Sequence, residues 1–213
     1  MLGTRDISMD EIFSIFIESI GKPMYRQEVP PSSIRRYTGK LPDKLLEYWA
    51  EHGWSGYGEG IFWTVNPQEY EGVVDSWLQD TPLAIRDNYH LIARSVFGDL
   101  YLFGEKTGFS LKITAAISHY TGSFHATAAN EMDRAVQNFF LTVDKEYNDF
   151  DGMFDSALKK LGTPKHDEMF AFVPALTLGG QATLKNLEKV KTLEHLVLLS
   201  QIAELQPYSF SDF

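Results

Sequence analysis

The side chains best suited to chemistry in this chain are its six histidines, His52, His90, His119, His125, His166 and His195. None stands four residues from another and no HExxH occurs. A helical zinc-hydrolase site needs two imidazoles on one helix face with a glutamate as base, and that pattern is missing. His119 and His125 flank a Thr121-Gly122-Ser123 turn and could meet across it; a solvated or hydrogen-bonded pair accounts for them more simply than a metal does. A serine nucleophile has no elbow to sit on, because Gly53-Trp54-Ser55-Gly56 places Tyr57 where the second glycine is required. The run Gly56-x-Gly58-x-Gly60 follows a helix and precedes a strand, the reverse of a dinucleotide-binding turn, and Walker A spacing is absent. With no cysteine, disulfides, thiolate metal sites and a cysteine nucleophile are excluded, and a reducing compartment is the natural setting. Asp167 and Glu168 are adjacent, and neighbours in sequence do not by default converge on one substrate atom; they read as acceptors for backbone donors ahead of an apolar run. No catalytic, cofactor or metal residue emerges, and the chain is expected to work by binding.

One charge cluster stands out. Residues 144–155 hold Asp144, Glu146, Asp149, Asp151 and Asp155 against a single base, Lys145. As a calcium loop counted from Asp144, the sixth position is Asp149 where glycine is needed and the twelfth is Asp155 instead of glutamate. The segment is either a solvated helix junction or a patch for a basic partner, and it is the candidate partner-binding site. Trp54, Tyr57, Phe62 and Trp63 could form a recognition surface, although aromatic residues at this density pack more simply into a core.

The bulk composition sets limits. The chain has 213 residues, 44% hydrophobic and 14% aromatic, enough for a sizeable core in one domain or two. Its formal net charge is −10, which repels phosphate and argues against direct nucleic-acid binding, while it would speed encounter with a basic protein. The first apolar stretch is interrupted by Asp10, Glu11 and Glu18 and lacks a basic leader. No window approaches the roughly 20 apolar residues of a membrane helix. A cytoplasmic protein without membrane contact is expected.

These residues must be positioned by α+β structure. Ser8 and Glu11 have capping-box spacing, and Ile12, Phe13, Phe16 and Ile20 continue one apolar stripe up to Gly21. Residues 22–31 read as an extended loop with three prolines, and short helices follow over 32–37 and 42–52. Residues 53–60 are too glycine-rich for regular structure; 61–65 form a strand, and a helix starts near Asn66. From about Tyr89 the period falls towards two, predicting strands over 90–97, 100–104 and 109–115 in an antiparallel meander, with 116–120 extending it. Helical spacing returns from Asn130, over 152–161, over 184–190 and over 192–205. The fold class is therefore N-terminal helices with an antiparallel meander, followed by a mostly helical C-terminal region. The division is expected at 1–110 and 111–213.

At the C-terminal third the run Asp167-Glu168-Met169-Phe170-Ala171-Phe172-Val173-Pro174-Ala175-Leu176 leads to Leu178-Gly179-Gly180. It continues through Asn186-Leu187-Glu188-Lys189-Val190-Lys191 to Glu194-His195-Leu196. This order resembles the C-terminal domain of type VI secretion immunity proteins. Leu41-Pro42, Tyr48-Trp49, Gly53-Trp54, Phe62-Trp63, Asn66-Pro67 and Phe97-Gly98-Asp99-Leu100-Tyr101-Leu102 resemble the GAD-like domain that precedes it in those proteins. The resemblance implies a cognate inhibitor that docks on a DNase effector, through that toxin's basic nuclease domain, and protects kin. The matched residues are apolar, glycine and proline, so no binding residue carries over from it. Two other classes stay open: an interaction module with a tRNA-enzyme-related role, and an enzyme whose groups are scattered along the chain.

Overall fold

The computed structural model describes residues 9–123 and 125–208. The capping box at Ser8 lies outside the described residues. The architecture is α+β. Helices α1 (Met9–Ile20), α2 (Pro31–Tyr37) and α3 (Asp43–His52) frame the first strands, β1 (Pro23–Gln27), β2 (Trp54–Tyr57) and β3 (Phe62–Thr64); α4 (Glu71–Leu78) then leads to the meander β4 (Tyr89–Ser95), β5 (Asp99–Gly104), β6 (Gly108–Thr114) and β7 (His119–Gly122). Helices α5 (Met132–Thr142) and α6 (Phe154–Leu161) follow, then the hairpin β8 (Glu168–Phe172) and β9 (Leu187–Lys191), helix α7 (Thr192–Ile202) and the short strand β10 (Gln206–Pro207).

The main sheet has eight strands in the order β1 to β7 and then β10. Its strands pair antiparallel except at the last step, where Gln206 and Pro207 run parallel to His119 and Tyr120. Strand β5 shows why helices must lie on both sides. Tyr101 and Phe103 point into one core cluster and Leu100 and Leu102 into another, since successive strand side chains face opposite ways. The first face is covered by α1, α3 and α5, through Phe13, Phe16, Trp49, Phe139 and Phe140. The second is covered by α4 and α7, through Trp77, Leu196 and Leu199. A sheet apolar on both faces needs both layers, and here α5 and α7 each complete one of them.

Three local expectations need correction. Residues 22–31 include strand β1, and the glycine-rich 53–60 begins with strand β2, which pairs with β3 at Gly56 opposite Trp63. The short apolar run over 169–172 lies in strand β8. Residues 184–190 are not a helix: a single turn over Leu184–Asn186 gives way to β9, whose Leu187 is opposite Phe172. The helix-like spacing there is short enough to serve either element, and pairing with β8 decides it.

Candidate partner-binding surface

The acidic segment begins where α5 runs out, with Val143 buried as its anchor. The Asp144 side chain accepts from the Tyr147 backbone N–H at 2.9 Å, holding a tight turn over Glu146–Asn148. Asn148 is buried. Its side-chain amide donates to the Asp144 carbonyl at 2.7 Å, and its Oδ1 accepts from the Tyr101 hydroxyl at 2.8 Å. Tyr101 is a β5 residue, so the sheet itself fixes this turn. Burial first, then Asp99 and Asp144, push the Tyr101 phenol upward, which keeps it protonated as the donor.

The next three residues, Phe150, Asp151 and Gly152, have φ of 46°, 57° and 74°. Only glycine adopts this region without steric cost. The Phe150 ring explains why the turn persists: it packs against Phe97 at 5.5 Å and Phe172 at 5.0 Å, and core burial outweighs the strain. Asp149 then accepts from the Phe154 N–H at the start of α6, where a carboxylate also complements the helix dipole. Asp155 pairs with Lys145 at 2.9 Å. That hydrogen bond lowers the carboxyl and raises the ammonium relative to their ordinary values.

The five predicted acids thus separate. Asp144 and Asp149 satisfy backbone donors, and Asp155 is neutralised by Lys145. Glu146 and Asp151 are exposed, and their carboxylates have no hydrogen-bond or ion-pair partner among the described residues. Between them in sequence, Tyr147 is 73% exposed. Sequence reasoning passed over Tyr147, although a lone aromatic inside an acidic run was a usable signal. It also missed Glu59, an exposed residue with φ of 60° in the glycine-rich stretch. Glu59 is close enough to raise the Lys145 ammonium, so the acidic surface draws on both halves of the chain.

The other candidates resolve into structure. Trp54, Tyr57, Phe62 and Trp63 are all buried. His119 hydrogen-bonds the Ile117 carbonyl at 2.6 Å, and His52 stacks on Phe13 at 3.9 Å. Asp167 pairs with Lys191, while Glu168 accepts from the Lys165 backbone N–H at 3.0 Å. Among the described residues no three histidine, aspartate or glutamate side chains gather as a metal site. Nor is any helix among them long and apolar enough to cross a membrane.

Comparison with known proteins adds the wider context. Residues 11–117 match the model of the GAD-like domain, and residues 133–203 match that of the T6SS immunity protein Tdi1, C-terminal. The crystal structure of Atu4351 from Agrobacterium tumefaciens superposes with a TM-score of 0.81 at 22% identity, over 94% of this chain and 93% of that one. At that identity it shows a shared fold. No curated protein matches the chain.

Proposed function

We propose, for a chain that belongs to the GAD-like domain family and carries a region matching the C-terminal domain of the T6SS immunity protein Tdi1, that it captures and neutralises a cognate antibacterial toxin in the cytoplasm. The partner best suited to it is a basic nuclease domain, a DNase effector of a type VI secretion system. The observation that carries this reading is the surface around Tyr147. Two exposed carboxylates without partners flank an exposed aromatic ring, on a turn tied to the sheet through Asn148 and Tyr101. A basic DNA-binding cleft attracts such a surface, and carboxylates occupying it would compete with substrate phosphate.

The two components have separate roles. Long-range attraction from a body of net charge −10 raises the encounter rate and is weakened by salt. Tight binding needs a desolvated anchor, for which tyrosine is well suited. No step of chemistry is required of this chain; it acts by occupying space that the toxin's substrate needs.

Co-expression with the product of the adjacent gene tests the reading. Survival of the host and co-purification of a stable complex are expected. A toxin that kills in the presence of this protein, or a mixture that separates on a sizing column, overturns it.

A further inference from the structure

A specific protein–protein interface covers roughly 800 Å² on each partner, and one tyrosine with its flanking carboxylates supplies only a fraction of that. Capture at the Tyr147 turn therefore needs a neighbouring element, and the packing of Phe150 shows where it lies. The Phe150 ring meets Phe172 at 5.0 Å. Phe172 is the last residue of β8, and residues 173–186 lead from it to β9. That connection is far longer than the roughly two to five residues of an ordinary hairpin.

The loop is nevertheless closed and tied down. The Val173 N–H donates to the Asn186 carbonyl at 2.8 Å, joining its two ends. Within it the N–H groups of Leu178 and Gly180 both donate to the Ala175 carbonyl at 3.0 Å, and the Asn186 side-chain amide donates to the Gln181 carbonyl at 3.2 Å. Lys160, in the last turn of α6, commits all three ammonium protons to the same segment. Its Nζ donates to the carbonyls of Leu184, Lys185 and Leu187 at 2.8, 3.0 and 2.8 Å. Leu176 and Leu184 pack against the core. A Cβ at Gly180 would run into the Pro174 carbonyl, so glycine lets the loop fold back on itself.

Three side chains stay outside this frame. Leu178 is 63% exposed and Val173 is 41% exposed, and Lys185 is exposed with an ammonium that has no partner among the described residues. An apolar side chain held in water gains from being covered, and a loop already fixed in place spares a partner the cost of ordering it. Closed surface loops of this kind often carry function.

We infer that loop 173–186 is a second contact element for the captured protein, with Leu178 seated in an apolar pocket of that partner and Lys185 against a carboxylate at the pocket's rim. The inference rests on the reading that this chain captures a protein. It gives that protein a further feature, an acid-edged apolar pocket beside its basic cleft. Nucleic acid is a poor occupant, since the loop offers one free cation and no aromatic ring on which a base could stack.

The test is kinetic, with the purified full chain passed over the immobilised product of the adjacent gene. Leu178→Ala should raise the dissociation rate at least about tenfold and Lys185→Glu should weaken affinity at least about tenfold, whereas Ile85→Ala should change either by less than about threefold. Ile85 is 90% exposed in the α4–β4 connection, so it controls for the loss of exposed apolar surface. Lys160→Met releases three carbonyls without touching the exposed side chains; it should speed amide exchange over 174–186 and weaken binding at least about threefold. Thermal melts of the Leu178 and Lys185 variants should match the parent, both side chains being exposed. Parent-like binding by those two variants overturns the loop as a contact, and so does equal weakening by Ile85→Ala. If the unaltered chain does not bind, the capture reading falls and this inference falls with it. Binding by the unaltered chain with indifferent loop variants sinks this inference alone.

Discussion

The guanidinium of Arg94 donates from Nη2 to the carbonyl oxygen of His166 at 2.8 Å. Arg94 is a β4 residue with no solvent exposure, and the same nitrogen reaches the Glu168 carbonyl at 3.1 Å while Nε reaches the Tyr70 hydroxyl at 3.0 Å. Trp63 covers the cation at 5.2 Å. Among the described residues no carboxylate pairs with it, so neutral carbonyls, a phenol and a ring carry a buried charge. The contact ties the strand order of the sheet to the segment that enters β8.

Removing that cation orphans acceptors on both sides of the seam. Arg94→Ala is expected to cost about 3–5 kcal/mol, since it empties a buried volume and leaves several buried acceptors unmet. Arg94→Lys should recover little of it, since one ammonium cannot reproduce a planar fork. Urea unfolding of the three proteins measures both differences.

Tyr101→Phe deletes the hydroxyl that Asn148 accepts from. A buried amide oxygen is left unmet, and a loss of about 1–3 kcal/mol is expected. The acidic turn should loosen as well. Amide hydrogen exchange over residues 144–152 should accelerate while the centre of the sheet stays protected, and a uniform change across the chain would contradict the tie proposed here.

Among the acids, roles divide by geometry. Glu146→Lys with Asp151→Lys should slow association with the toxin and flatten its salt dependence, leaving unfolding unchanged. Asp149→Ala should do the opposite, lowering stability by about 1 kcal/mol as a lost helix cap with little change in association rate. Stopped-flow mixing and chemical unfolding separate the two.

Gly58 has φ of 57°, and a Cβ there would run into the Ile20 carbonyl. Gly58→Ala is expected to destabilise by more than about 1 kcal/mol, read as a lower melting temperature. The substitution also displaces Glu59, so any toxin complex should weaken with it.

His195 lies in an apolar crevice with Phe97, Met169, Phe172 and Leu199. Desolvation lowers its imidazole below the ordinary value of 6.5. The unfolded chain therefore takes up a proton first as pH falls. Stability from this group is complete above about pH 6.5 and declines below it. His195→Leu should remove that part of the pH dependence in thermal melts between pH 7.5 and 5.

Much of this was readable from local pattern. The α1 stripe, the meander and the reversals ahead of Asp99 and Gly108 follow from periodicity and from backbone-permissive residues, which act over a few neighbours. Absent cysteine, the missing catalytic spacings and the net charge of −10 are likewise properties of the chain itself. The acidic run was visible as a run, and nothing in its composition separates Asp144 and Asp149, which cap backbone, from Glu146 and Asp151, which do not. Asp144 and Asp149 reach donors only three and five residues on, but the turn that sets those reaches is held by Asn148 on Tyr101, more than 40 residues away. The assignment of 187–191 to a strand likewise needed β8. Short-range sterics and hydrogen bonding are written into adjacent residues. Which carboxylate is satisfied, and which surface stays open, is decided by contacts between distant segments, because desolvation depends on everything packed around a group.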